Sequence, residues 1–99
     1  NMVYELNGTP AGIISVSSGH IEGLFVDPRF FKKGIGSALI KHFLNKKEYL
    51  QLQVYEMNHN AVNFYRSHGF VITGGGICQA TGLAYFEMVY ERNVKEAHL

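Results

Sequence analysis

The sequence predicts a layered α/β (α+β) domain whose mixed central sheet combines an antiparallel meander with a βαβ crossover. Three observations predict it. Short apolar runs separated by turn dipeptides open the chain, apolar spacing changes to a helical period at Gly34, and alternation returns at Leu50. Ninety-nine residues suit one small domain, 1–99, with a single core.

The elements follow in order. Met2–Leu6 is a short strand stopped by the hairpin signal Asn7-Gly8. Ala11–Ser17, with Ile13, Ile14 and Val16, is a second strand that turns at Ser17-Ser18-Gly19. His20–Val26 is a third, closed by Asp27-Pro28, and completes the meander. From Gly34 onward Ile35, Leu39, Ile40, Phe43 and Leu44 recur at helical spacing, predicting a helix that ends near Lys47. Leu50–Met57 alternates and reads as a strand, so strand, helix and strand form a crossover with parallel pairing. Asn58 is placed to cap a helix from about His59 to His68, and Gly69 ends it. Two strands follow, Phe70 to about Cys78 and Leu83 to about Glu91, with Gly74-Gly75-Gly76 within or beside the first. The charged tail Asn93–Leu99 is expected to fray.

Composition narrows the function classes. Hydrophobic residues make 46% and charged residues 17%, an ordinary globular balance. Nine basic against eight acidic residues leave a net charge of +1, which predicts no nucleic-acid partner. Cys78 is the sole cysteine, so no intramolecular disulfide forms, in keeping with a reducing cytoplasm. It stands without a sequence-adjacent His or Asp and reads as a buried structural thiol. No run approaches the ~20 apolar residues of a membrane helix, and Glu5, Asn7 and Gly8 interrupt any leader pattern. The histidines show no ligand spacing, so no metal is expected.

The densest chemical signal is Phe31-Lys32-Lys33-Gly34-Ile35-Gly36-Ser37-Ala38, between a strand and an amphipathic helix. Two glycines let a ligand approach the backbone, and the N–H groups of a first helical turn suit a phosphate or pyrophosphate. A dinucleotide-binding glycine triad would need glycine at Leu39, and a Walker loop would need Gly-Lys-Ser/Thr, which is absent. A loop whose glycines only allow a tight turn remains the bland alternative.

With the preceding IEGLFVDP, this segment resembles the central signature of the GNAT acyltransferases, whose loop reads Arg/Gln-x-x-Gly-x-Gly/Ala. A second segment, Asn58-His59-Asn60-Ala61-Val62-Asn63-Phe64-Tyr65 followed by Gly69-Phe70, resembles that family's Asn-x-x-Ala-x-x-Phe-Tyr…Gly-Phe stretch. The resemblance covers roughly Ile21 to Phe70. It implies an acetyl-CoA-dependent N-acetyltransferase with acetyl-CoA as cosubstrate and a small-molecule or protein amine as acceptor.

The resemblance also implies the site residues. Gly34, Ile35, Gly36 and Ser37 would hold the pyrophosphate, and the backbone of Leu24, Phe25 and Val26 would pair with the pantetheine arm. Phe31 stands where Arg or Gln is usual, a departure; Lys32 and Lys33 either compensate or are solvated loop lysines. Asn58 and Ala61 would contact the cofactor, although Asn58 serves equally as a helix cap. Tyr65 would be the general acid toward the CoA thiolate, with a core aromatic as its plain alternative. Glu22, expected on a partly buried strand, would be the base, directly or through water, with His20 its rival and a solvent-facing strand glutamate or a neighbour of Lys or Arg its plain alternative.

Family members usually begin with a strand and one or two helices ahead of the hairpin, whereas here only Met2–Leu6 precedes the turn. Three explanations stay open for this N-terminally short domain: a cut chain, a truncated gene product, or a short protein that completes its pocket with another copy. The loss exposes apolar surface, and a homodimer is expected. A non-catalytic CoA-binding domain is the alternative function, and a nucleotide-binding regulatory module the third.

Overall fold

The computed structural model describes residues 2–6, 8–31, 34–47 and 49–91, and its contacts divide the chain into two units before Tyr49. The first holds β1 (Met2–Leu6), β2 (Thr9–Ser17), β3 (His20–Val26) and α1 (Ile35–Leu44). The second holds β4 (Tyr49–Tyr55), α2 (His59–Ser67), β5 (Val71–Ile77) and β6 (Ala84–Glu91).

In the first unit β1 pairs antiparallel with β2, and β2 with β3, so that Ile14 lies opposite both Met2 and Leu24. Strand β2 starts two residues earlier than the sequence predicts, at Thr9. Pro10 is tolerated there because the register passes from Gly12 (opposite Tyr4) to Pro10 (opposite Glu5), skipping Ala11. Ala11 is fully buried, and its carbonyl accepts from the Asp27 N–H at 2.8 Å. Ile35, Leu39 and Ile40 of α1 share the core with Ala11, Ile14 and Ile21. Ile35 and Leu39 lie so close over Gly12 that a Cβ there would come within 3.0 and 3.1 Å of them. Packing on β2 thus sets where α1 begins.

The helix ends at Leu44 rather than near Lys47. Its apolar stripe stops there, and the Phe43 carbonyl accepts from both Lys46 (3.0 Å) and Lys47 (2.8 Å) as the chain turns away. Lys41 and His42 in the last turn sit favourably against the negative end of the helix dipole.

In the second unit β6 lies between β4 and β5, antiparallel to both. The period-2 alternation of β4 buries Leu50 and Leu52 and exposes Tyr49, Gln51 and Gln53. Leu52 stands opposite Met88, which in turn stands opposite Ile72. Leu50, Leu52, Val62, Tyr65, Phe70 and Met88 form the buried set, each stabilising the fold by roughly 1.5–3 kcal/mol. Strand β4 stops at Tyr55, short of Met57, because the Tyr55 carbonyl is taken by the Asn58 N–H (3.0 Å) in the turn into α2. The three glycines Gly74, Gly75 and Gly76 lie inside β5. The tail from position 92 lies outside the described residues.

Candidate functional site

The start of α1 presents backbone donors with no side-chain acceptor. Gly34 stands at the helix N-cap with φ +75°, a left-handed conformation that side chains rarely adopt, and offers no capping side chain. The first α-helical bond runs from the Ala38 N–H to the Gly34 carbonyl (3.0 Å). The N–H groups of Ile35, Gly36 and Ser37 therefore have no acceptor within the helix, and no acidic side chain occupies the first turn.

The nearest preceding carboxylate is neutralised. Asp27 accepts from the Arg29 backbone N–H (2.9 Å), from Nε (3.1 and 3.2 Å) and from a terminal guanidinium nitrogen (2.7 Å). These bonds, with the Arg29 charge, hold the Asp27 carboxyl below its ordinary range. The pair also closes the 3-10 turn Pro28–Phe30 that leads into the loop. Sequence reading missed this role, although acid at N-cap followed by Pro is its local signal. Phe31 is 59% exposed and brings no charge to the loop. Lys32 and Lys33 lie outside the described residues.

On β3, Leu24 and Val26 are half-buried and Phe25 is exposed. The register passes from Gly23 (opposite Ser15) to Ile21 (opposite Val16), leaving Glu22 as the extra residue of a β-bulge. Glu22 is exposed, which corrects the expectation of a partly buried carboxylate; the bulge lets Ile21 take the buried position instead. His20, its rival, is half-buried at the start of the strand.

The second signature folds by local rules. The Asn58 side chain accepts from the Ala61 N–H at 3.3 Å and its carbonyl accepts from Val62 at 3.1 Å, so Asn58 caps α2. At the other end Gly69 has φ +94°; its N–H donates to the Arg66 carbonyl (3.1 Å) and the Phe70 N–H to the Tyr65 carbonyl (3.1 Å). This is a Schellman closure, and its usual hydrophobic contact falls on Tyr65: the Phe70 and Tyr65 rings meet edge-on at 5.5 Å. Phe64 packs on the same ring at 5.3 Å.

Tyr65 is 8% exposed, and burial pushes its hydroxyl pKa up. No buried side-chain oxygen or nitrogen lacks a partner among the described residues, and the Tyr65 hydroxyl has none there. The hydroxyl therefore retains contact with solvent while its ring is held. Gly69→Ala is expected to cost about 1–2 kcal/mol, the left-handed penalty of a residue with a Cβ, which would also press on the Tyr90 ring at 3.3 Å. Thermal melting measures it, and an unchanged midpoint would contradict this account of the turn.

One cluster was not legible beforehand. Cys78 is half-buried, not the buried thiol expected, and lines an open hollow of about 550 Å³ with Gln53, Tyr55, Asn58, Gln79 and Tyr85. Hydrogen bonding by Thr81, then by the Tyr55 hydroxyl at 3.7 Å, lowers its pKa to about 7. Asn58 is the member of the expected site that reaches this hollow. Gly34 to Ser37 thus lie together at the start of α1 in the first unit, while Asn58 caps α2 and Ala61 and Tyr65 lie on it in the second. Among the described residues no His, Cys, Asp and Glu cluster is placed to hold a metal, and no helix is long and apolar enough to cross a membrane.

Comparison with known proteins bears on both units. The acetyltransferase (GNAT) domain family matches residues 1–92. The chain is 37% identical over 73 residues to the peptidyl-lysine N-acetyltransferase YiaC of Escherichia coli (strain K12), covering 73% of this chain and 50% of that protein. The solution structure of apo-form YjaB from Escherichia coli superposes with a TM-score of 0.77 at 30% identity, over 87% of this chain and 60% of that one. Arabidopsis thaliana Naa50, in complex with the bisubstrate analogue CoA-Ac-MVNAL, superposes with a TM-score of 0.74 at 25% identity, over 86% and 68%. The chain spans about half the length of the curated relatives it matches. These neighbours share the predicted fold class, a mixed sheet with two helices in the acyl-CoA N-acyltransferase manner.

Proposed function

The chain belongs to the GNAT acetyltransferase family, and from that membership we propose that it transfers an acetyl group from acetyl-CoA to a primary amine by direct attack. The observation that carries the reading is the Gly34 N-cap: a left-handed glycine opening a helix whose first-turn N–H groups meet no acidic side chain. Such a cradle fits a pyrophosphate through backbone donors and the helix dipole. Ile35, Gly36 and Ser37 supply those donors, and the backbone of Leu24, Phe25 and Val26 accompanies the pantetheine arm. By the family pattern, Asn58 and Ala61 are further cofactor contacts.

Acetyl-CoA supplies the activated thioester. The amine nitrogen bonds to the carbonyl carbon as the carbon–sulfur bond breaks. Glu22, directly or through water, takes the amine proton, and Tyr65 gives its proton to the departing thiolate. A phenol is protonated at neutral pH even at its ordinary pKa, and burial pushes that of Tyr65 further up, so the donor form is present. Glu22 has exposure and its place on a bulge in its favour. The acceptor class we favour is the peptide lysine, because YiaC and YjaB are named as peptidyl-lysine N-acetyltransferases. The reading includes a cytoplasmic homodimer, supported for its dimer part by exposed apolar side chains such as Met57 (65%) and Ile77 (62%).

A second reading is a CoA-binding domain without turnover, favoured by the uncharged, exposed Phe31 where the family pattern has Arg or Gln. Release of CoA measured against lysine peptides and a panel of small amines, alongside a thermal shift with CoA, separates the two. Turnover on at least one amine is expected. Binding with no turnover on any would give the second reading preference.

A further inference from the structure

The face of the second unit that holds α2 carries a groove of about 620 Å³, floored by Val62, Ile72, Leu83 and Phe86. Two charges stand on its rim, Glu56 at the start of the turn after β4 and Arg66 in the last turn of α2. Neither makes an ion pair among the described residues, where the one such pair is Asp27–Arg29. Beside the groove runs β5, the outermost strand, whose far edge has no partner among the described residues.

Sheet edges are ordinarily protected by charged side chains, proline, shortness or bulges, because unpaired N–H and C=O groups recruit other strands. The seven residues of β5, VITGGGI, include neither a charge nor a proline. Its one irregularity is a register skip at Thr73. Val71 is 59% exposed and Ile72, which also floors the groove, 39%. An uncharged open edge, an apolar groove and two unpaired charges of opposite sign therefore occupy one surface.

We infer that this surface joins two copies of the chain as an isologous dimer, with Glu56 of each copy meeting Arg66 of the other. A two-fold axis places residue i against j and j against i. One acid and one base on the same patch then become two reciprocal ion pairs, and the apolar floors are covered together. A strongly acidic or basic partner would satisfy one rim charge and repel the other, whereas a second copy satisfies both. The inference rests on the homodimer part of the function proposed above and is independent of the chemistry.

The test is a charge swap read by sedimentation velocity across a concentration series. The wild-type chain is expected to dimerise. Glu56→Arg and Arg66→Glu are each expected to weaken the dimer by roughly tenfold or more, since each replaces two attractions with two repulsions. The double variant should return to near wild-type dimerisation, because swapped charges pair again across the two-fold axis. Val71→Lys, on the strand edge, should weaken association without altering the far-ultraviolet circular dichroism, and it reads the same surface if a swap variant misfolds. A wild-type monomer at every concentration overturns the inference and the dimer with it. A dimer indifferent to all these variants overturns this surface and leaves the dimer standing. Single variants that weaken a dimer the double fails to restore overturn the reciprocal pairing. Association only with an unrelated polypeptide overturns the second copy as occupant.

Discussion

Tyr65→Phe is expected to lower kcat by roughly 10- to 10,000-fold with little change in acetyl-CoA affinity, the pattern of a lost general acid. The substitution removes one oxygen. The ring contacts with Phe64 and Phe70 at 5.3 and 5.5 Å survive it, and no described protein group loses a hydrogen bond. Melting temperature should therefore hold while turnover falls. The acid form is present at neutral pH as for any tyrosine, and burial moves its titration further to the alkaline side. Loss of activity from this group belongs to alkaline pH, above the ordinary tyrosine range, and Tyr65→Phe should abolish that limb. Steady-state kinetics against pH, with calorimetric titration of acetyl-CoA, reads both effects; wild-type kcat in the variant would remove Tyr65 from the mechanism.

Gly34→Val should act on the other substrate parameter. An added Cβ at Gly34 meets no described atom within 4 Å, so the damage comes from the backbone and not from a clash. A β-branched residue disfavours φ +75° strongly, and relaxing it rotates the first-turn N–H groups away from their common focus. Losing one hydrogen bond to a charged group costs about 1.5–3 kcal/mol, which corresponds to roughly 10- to 100-fold weaker acetyl-CoA binding. Gly34→Asn should lose less, because asparagine visits the left-handed region more readily. Direct titration with acetyl-CoA decides the matter: equal affinity for wild type and Gly34→Val would mean that the cradle lies elsewhere.

The two variants draw on features that were legible to different degrees. Gly34 and the start of α1 were readable from residues adjacent in the chain, as were the Asn58 cap and the Gly69 stop. Each involves hydrogen bonds between groups three to five positions apart, and such short-range geometry depends mainly on local side-chain chemistry. The end of α1 was less legible. Lys46 and Lys47 continue the backbone bonding through Phe43 without continuing the helix, and nothing in their side chains marks the change. Glu22 shows the limit on strands. Alternation assigns faces only while the register is unbroken, and the bulge that exposes Glu22 and buries Ile21 exists because β2 pairs as it does.

At Gly34, then, neighbouring residues carry most of the signal: glycine where φ is positive, and a helix start without acidic side chains. The types of the α-helices and strands and the order of the strands within the meander were readable in the same way, because turns, caps and apolar periods are local, whereas the 3-10 turn Pro28–Phe30 was not. Long-range packing alone buries the ring of Tyr65 while leaving its hydroxyl without a described partner. It alone brought Cys78 to Tyr55 and Tyr55 to Thr81, across 23 and 26 positions of chain. The physical reason is the same in both cases. Burial, desolvation and a thiol's hydrogen bonds depend on which distant residues pack together, and a one-residue slip in a strand changes that set while leaving every local signal intact.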